Sequence, residues 1–373
     1  MIKVLYFVDR LLGGGIQSFL KTICSQLPKD EFDISLLTLD DGKDYKDQEN
    51  EFFNLGVKVF KLDNIWLNYF HDYFGYKKKT DEFFCKHSFD IVHINSGPKN
   101  YIIGKYAKKH GIKHIVYHSH NTNYQTKNLM KKAYGDFLKN KVKKYSDYYL
   151  ACSHEAGEWM FSEKILASDK FQVLHNPIFI EGFIYDEGTR DSLRNDLDLK
   201  DSFVLGNVGR LIKQKNQLFL IQIMKSLVEK KQNVKLLLAG TGSLEKELRE
   251  AVEKYGIEKN VMFLGFRNDV GRLLNAIDLL VLTSKHEGYP IISIEAQANG
   301  LPCLMSDIIT KEALLHDKSS NLKLIDPPSK WADFIIENYI NQKYNRSMPT
   351  ILNEYSSTFI VNKLVAFYKK ILN

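Results

Sequence analysis

Apolar runs of strand length alternate with helix-length amphipathic stretches along almost the whole 373-residue chain. That alternation restricts the fold more than any other feature, because strand–helix–strand repetition builds parallel sheets with helices on their faces. In the first half, strands are expected at residues 3–8, 32–39, 57–62, 91–95, 114–118, 148–152 and 171–174. Runs such as Lys3-Val-Leu-Tyr-Phe-Val8 are nearly continuous in apolar residues, as a sheet covered on both faces requires. Helices fit at 17–27, 99–110, 130–145 and after Ser153. A polar stretch around 181–200 precedes a second series of strands at 203–208, 234–239, 261–264, 279–283, 303–306 and 322–325. The expected architecture is therefore α/β, with two Rossmann-like domains facing across a cleft. Residues 1–178 make the first domain, 179–200 a linker and 201–350 the second domain. A C-terminal helix within 351–373 crosses back to the first domain.

Composition closes off other classes. With 44% apolar residues and 12% aromatics the chain can bury large cores, which excludes disorder for its bulk. No run approaches the roughly 18 apolar residues of a membrane-spanning helix, and the apolar N-terminal run is too short for a signal peptide. Cys24, Cys85, Cys152 and Cys303 are scattered without metal-ligand spacing and read as reduced thiols of a cytoplasmic protein. The net charge of +7 is unevenly placed: between residues 99 and 145 stand twelve lysines and one acid, Asp136. A basic region in an otherwise slightly acidic chain points to an anionic partner for one face.

Ligands of open parallel sheets sit at the carboxyl ends of the strands. Four clusters lie there. Gly13-Gly14-Gly15 follows the first strand and opens a helix, where backbone amides can approach an anion. A dinucleotide fingerprint fails at this loop, because Ser18 stands where its third glycine belongs, although Asp40 would supply the ribose acid. Asn207-Val-Gly-Arg-Leu-Ile-Lys-Gln-Lys-Asn216 places Arg210 and Lys215 between a strand end and a helix start, where two cations can clamp a diphosphate. Such cations stabilise a leaving group that gains charge as its bond breaks. Lys285-His-Glu-Gly-Tyr-Pro-Ile-Ile-Ser-Ile-Glu-Ala296 frames a strand–helix junction with Glu287 and Glu295, with Pro290 at a first helical position. Tyr117-His-Ser-His-Asn-Thr122 alternates His118 and His120 at a strand end, with no nearby carboxylate or cysteine to complete a metal site.

Together these clusters resemble the retaining glycosyltransferases of family 4, which have the two-domain GT-B fold. Further stretches resemble the subgroup that builds bacterial capsular and exopolysaccharides: His118-Ser-His-Asn-Thr122, Ala151-Cys-Ser-His-Glu-Ala-Gly-Glu-Trp159 and Glu295-Ala-Gln-Ala-Asn-Gly-Leu-Pro-Cys303. The resemblance implies transfer from a nucleotide-diphosphate sugar, a UDP-sugar by preference, with retained configuration and no obligatory metal or other cofactor. It implies that Glu287 contacts the donor sugar and Glu295 the ribose. Arg210, Lys215 and backbone groups at Ile291 and Ile292 would hold the diphosphate. Gly288, Tyr289 and Pro290 would join the substrate contacts, and the loop Gly265-Phe-Arg267-Asn268 would meet the base, largely through its backbone. Gly14 and Gly15 would let the first domain close over phosphate and acceptor, and His120 matches the family's first-domain active-site histidine better than the substrate-side His118. Two departures stand out: Gly14-Gly-Ile-Gln17 lacks the common glutamate, and His175-Asn-Pro177 replaces the common Pro-Asn-Gly. Asp196-Leu-Asp198 spells the D-x-D of metal-dependent transferases but falls in the polar stretch and reads as surface charge.

The acceptor side is less specific. Trp66, Tyr69, Phe70, Tyr73 and Phe74 stand at helical spacing and read as core or as the wall of an acceptor groove. Met130, Ala133, Phe137, Leu138 and Val142 are expected on one face of a basic helix. Residues 99–144 read either as a solvated layer or as an attachment to an anionic membrane holding a lipid-linked acceptor. No nucleic-acid partner is expected. The class-different alternative is a catalytically silent GT-B partner of an active transferase.

Overall fold

The computed structural model describes residues 1–11, 15–39, 46–62, 73–124, 128–199, 201–285, 287, 289–342 and 346–373, with only the backbone of Tyr73. The chain divides into Met1–Pro177 with Ser357–Asn373, hereafter unit 1, and Ile178–Ser356, unit 2.

The strands of unit 1 are β1 (Ile2–Phe7), β2 (Phe32–Leu39), β3 (Lys58–Leu62), β4 (Ile91–Asn95), β5 (His114–Ser119), β6 (Tyr148–Ala151) and β7 (Phe171–Val173). They form one parallel sheet in the order β3-β2-β1-β4-β5-β6-β7. Its helices are α1 (Gly15–Gln26), α2 (Lys46–Asn54), α3 (Tyr73–Lys86), α4 (Tyr101–Lys109), α5 (Leu129–Tyr145), α6 (His154–Met160) and α7 (Glu163–Leu166). Strand alternation feeds two cores at once: Val4 and Tyr6 of β1 face a layer with α1 and α2, and Leu5 and Phe7 face a layer with α3, α4 and α5.

Unit 2 repeats the plan. Strands β8 (Phe203–Val208), β9 (Val234–Ala239), β10 (Val261–Gly265), β11 (Leu279–Leu282), β12 (Cys303–Ser306) and β13 (Ser320–Leu322) are parallel in the order β10-β9-β8-β11-β12-β13. Helices α8 (Glu187–Asp196), α9 (Gln217–Glu229), α10 (Glu245–Lys254), α11 (Val270–Ala276), α12 (Ile291–Ala298) and α13 (Pro328–Ile335) belong to it. The last helix, α14 (Ser357–Leu372), returns to unit 1. Its Ile360, Leu364, Phe367, Tyr368 and Ile371 enter the same core as Phe19, Leu20 and Ile23 of α1. This is the doubly wound α/β pair, with a returning C-terminal helix, that the alternation implies.

Three local expectations need correction. The stretch 179–200 is part of unit 2, because α8 is docked by its arginines: Arg190 and Arg194 both pair with Asp278, at 2.5 and 3.0 Å. The last strand lies at residues 320–322 instead of 322–325, since its backbone pairs with β12 through Leu304↔Ser320 and Ser306↔Leu322. On α5, Gly135, Leu138 and Val142 face inward, whereas Met130 and Phe137 are exposed. The ring of Tyr124 lies against the Cβ-less Gly135, which sets the packed face.

Candidate active site

In unit 2 the strand order reverses between β8 and β11, and the crevice beyond such a pair of strand ends is where open α/β sheets hold their ligands. Both charged motifs lie there. Beyond β8 the chain runs Gly209-Arg210-Leu211 close against Gly240-Thr241-Gly242 beyond β9. Leu211 N donates to Thr241 O at 2.9 Å, and a Cβ on Gly240, whose φ is +138°, would sit 2.0 Å from Gly209 O. Only glycine permits that approach. Buried Gln217, on α9, donates to Arg210 O at 3.0 Å and to Asn207 Oδ1 at 3.3 Å, fixing the loop from beneath.

The loop beyond β11 is tied to the loop beyond β8. Lys285 N donates to Gln214 O at 2.8 Å and Thr283 Oγ1 to Asn216 O at 3.0 Å. Their side chains meet as well: Lys215 Nζ lies 2.5 Å from Glu287 Oε1, and Gln214 Nε2 donates to Glu287 Oε2 at 3.4 Å. The ion pair is mostly buried, so each charge depends on the other when no ligand is there. Arg210 is exposed. Pro290 is the N-cap of α12, one position before the first helical site expected for it, and the first amides of Ile291 and Ile292 have no carbonyl partner within the helix. Glu295 lies one turn along the same face, and burial pushes its carboxyl up to about 7. A carboxyl whose proton is lost only near 7, one turn into α12, and the first amides of that helix are groups that can meet hydroxyl and phosphate.

The side chains of Tyr289 and Arg267 are engaged within unit 2. Tyr289 is buried, with its hydroxyl 2.7 Å from that of Tyr355 and donating to Glu312 O at 2.8 Å, so its side chain anchors the loop. Arg267 is held by Asp269 in a two-point ion pair at 2.7 and 2.6 Å, leaving the backbone of that loop as its free surface. Gly288 lies outside the described residues, as do Gly13, Gly14, Asp40, Trp66, Tyr69, Phe70, Lys127 and the Tyr73 side chain.

Unit 1 has its own reversal, between β1 and β4. Asp9, just beyond β1, receives hydrogen bonds from Ser96 Oγ and Asn100 Nδ2, with Lys99 Nζ at 3.7 Å. Gly15 opens α1 and is exposed. From that helix Phe19 meets both histidine rings edge-on, at 5.1 Å for His118 and 5.4 Å for His120. His120 is partly exposed and donates from Nε2 to Asn95 Oδ1 at 2.9 Å, which leaves Nδ1 as its acceptor. Burial of the ring pushes it down to about 3, so it is neutral near pH 7.

His118 corrects the expectation of a substrate contact, for it has no exposed surface. Its ring lies tilted against that of His120, with centroids 4.1 Å apart, and it ends a buried polar chain. Tyr368, on α14, donates to Tyr6 Oη at 2.9 Å, so its oxygen accepts from His93 Nδ1–H at 2.6 Å. His93 Nε2 then accepts from His118 Nδ1–H at 3.2 Å. His93 is also pushed down to about 3 by burial. Sequence reasoning missed Asp9, Asn95, Ser96, Asn100, His93 and Tyr368 in unit 1, and Gly240 and Gly242 in unit 2. Of these only the Gly-Thr-Gly after a strand carried a local signal.

Among the described residues no group of three or more His, Cys, Asp or Glu is placed to hold a metal ion. Among them, too, no helix is long and apolar enough to cross a membrane.

Residues 13–181 match the family model described as Glycosyltransferase Family 4, and residues 189–348 the one described as Glycosyl transferases group 1. The chain is 26% identical over 343 residues to EpsF of Bacillus subtilis (strain 168), itself only provisionally assigned as a glycosyltransferase. That match spans 89% of this chain and 86% of EpsF. It is 27% identical over 330 residues to the Escherichia coli UDP-Gal:alpha-D-GlcNAc-diphosphoundecaprenol alpha-1,3-galactosyltransferase, spanning 85% and 82% of the two chains. In fold it is similar to Anabaena Alr3699/HepE, crystallised with UDP. The TM-score is 0.80 at 19% identity, over 99% of this chain and 100% of that one.

Proposed function

We propose that this chain is a GT-B glycosyltransferase that moves a sugar from a UDP-sugar to a saccharide or lipid-linked saccharide in surface polysaccharide synthesis, with retained configuration. The observation that carries the reading is the convergence of Lys215, Glu287, the α12 amides and Glu295 on the β8–β11 reversal of unit 2. The names of the relatives fit it: the Escherichia coli enzyme takes UDP-Gal and the Anabaena structure holds UDP.

In this reading the diphosphate lies on Arg210, Lys215 and the amides of Ile291 and Ile292. The two cations stabilise the charge that gathers on it as the glycosidic bond breaks. No metal step is required for this role. Glu287 exchanges its bond from Lys215 for sugar hydroxyls, and Glu295 accepts from the ribose hydroxyls. His120 offers its Nδ1 to a hydroxyl of the donor sugar. Gly14 and Gly15 admit phosphate and acceptor to the first domain, and the acceptor attacks on the face the diphosphate leaves.

A thermal-shift and hydrolysis screen against UDP-, GDP- and ADP-sugars, without added metal, tests the reading. A donor at 100 times its Kd stabilises the fold by about 2.7 kcal/mol. A UDP-sugar is expected to respond and to release UDP slowly. Silence toward every donor, with or without saccharide acceptors, overturns it.

A further inference from the structure

The helices α3, α4 and α5 cover one face of the unit 1 sheet. They carry thirteen lysines and three acids, Asp81, Glu82 and Asp136, with no arginine. The helices α1, α2 and α14 on the other face carry five lysines and three acids. The basic charge of the unit is thus concentrated on a single layer.

That layer also exposes large apolar side chains. On α5, with Gly135, Leu138 and Val142 turned inward, Leu129 is 78% exposed, Met130 79%, Phe137 54% and Tyr134 48%. Met130, Tyr134 and Phe137 follow one another at helical spacings of four and three, so they form a stripe. Phe74 on α3 is 83% exposed. Lysines lean over these rings: Lys141 Nζ is 5.1 Å from the Phe137 centroid and Lys77 Nζ 5.6 Å from that of Phe74. A solvated helix keeps lysines outward without exposing such a stripe, and a nucleic-acid face uses cations without Leu, Met and Phe. Apolar side chains that can enter the acyl boundary, ringed by ammonium groups at headgroup level, match an anionic bilayer.

We propose that the α5 face, with the neighbouring lysines of α3 and α4, docks unit 1 on an anionic lipid surface. The inference stands on this layer alone and does not depend on the donor chemistry of unit 2.

The test is flotation of the full chain with vesicles of phosphatidylcholine, with and without about one-third phosphatidylglycerol, at low and high salt. Wild type is expected to float with the anionic vesicles only, and less as salt rises. Lys141→Gln/Lys144→Gln is expected to weaken partitioning about fivefold per lysine. Met130→Ser/Phe137→Ser is expected to weaken it more than tenfold while leaving Tm and donor hydrolysis unchanged, because both side chains are exposed. Equal recovery with neutral vesicles, or none with either, overturns the proposal. So does a Met130→Ser/Phe137→Ser protein that floats like wild type and binds duplex DNA as well as vesicles, which would mark a site for polyanions in general. Loss of flotation with intact UDP-sugar hydrolysis separates failure of the surface from failure of the transferase reading.

Discussion

In unit 1 the strand order reverses between β1 and β4, and in unit 2 between β8 and β11, the first and fourth strands of each series. The two crevices are furnished in opposite ways. Unit 2 gathers charge and a helix start: Arg210, Lys215, Glu287, Glu295 and the first turn of α12. Among the described residues unit 1 gathers mainly neutral hydrogen-bonding groups, His120, Asn95, Ser96 and Asn100, around Asp9. Behind His120 runs the buried chain of His118, His93, Tyr368 and Tyr6. The lesson is that one topology fixes where a ligand goes, and the side chains beyond the strands decide its charge.

The sharpest way to break this comparison is to remove the charge from unit 2. Lys215→Ala is expected to lower kcat/KM about a thousandfold and to abolish the thermal shift with UDP. Glu287→Gln, which frees Lys215, should also lose transfer but keep or tighten UDP binding. Near-normal transfer by Lys215→Ala would remove unit 2's claim to the anion.

Acid and base act on the two crevices in opposite senses. Glu295 keeps its proton up to about 7 in the folded chain, whereas an unfolded glutamate loses it near 4.5. Folding therefore loses stability as pH rises from 4.5 to 7, and the cost above 7 is about 3 kcal/mol. Glu295→Gln should raise the stability of the ligand-free protein above pH 7 and leave it unchanged below 4.5, as calorimetry across pH would show. His93 and His120 work the other way. They stay neutral down to about 3 when folded but protonate near 6.5 when unfolded, so stability falls as pH drops below 6.5. In the Glu295→Gln protein, where the opposing carboxyl is gone, a flat profile from pH 3 to 6.5 would argue that these rings are open to water.

The smallest effect sharpens the contrast from the unit 1 side. Tyr368→Phe removes the acceptor for His93 Nδ1 and should lower unfolding stability by about 1–3 kcal/mol. UDP affinity should stay within twofold of wild type. A large loss of UDP binding would mean that the buried chain serves the charged crevice too.

What could be read in the sequence follows the same divide. The unit 2 crevice is written in two contiguous motifs, 207–216 and 285–296, so their spacing alone placed Lys215 and Glu287 beyond strand ends and Glu295 in the helix that follows. The unit 1 crevice is assembled from Asp9, residues 95–100, residues 118–120 and, through the core, Tyr368. No local pattern joins residues so far apart in the chain. The strand's end separates the two histidines: two residues apart they share a face, and β5 stops at Ser119, so His118 lies inside it and His120 just beyond. The face of α5 was misjudged because its packing centres on Gly135, which has no side chain to announce it. The docking of α8 was missed because arginines that look solvated in a sequence are bound by one aspartate, Asp278, distant along the chain.

The return of α14 to unit 1 has a consequence for how the protein is made. Residues 1–177 leave the ribosome first, yet the layer over α1 stays open until residues 357–372 follow the whole of unit 2. At about 5–20 residues per second that interval is on the order of ten to forty seconds. During it Phe19, Leu20 and Ile23 lack the helix that covers them, while unit 2, contiguous in the chain, can already close. Vectorial synthesis thus reverses the order of the units: the half begun first is the half finished last, and nascent unit 1 is the part that a holding chaperone would need to shield.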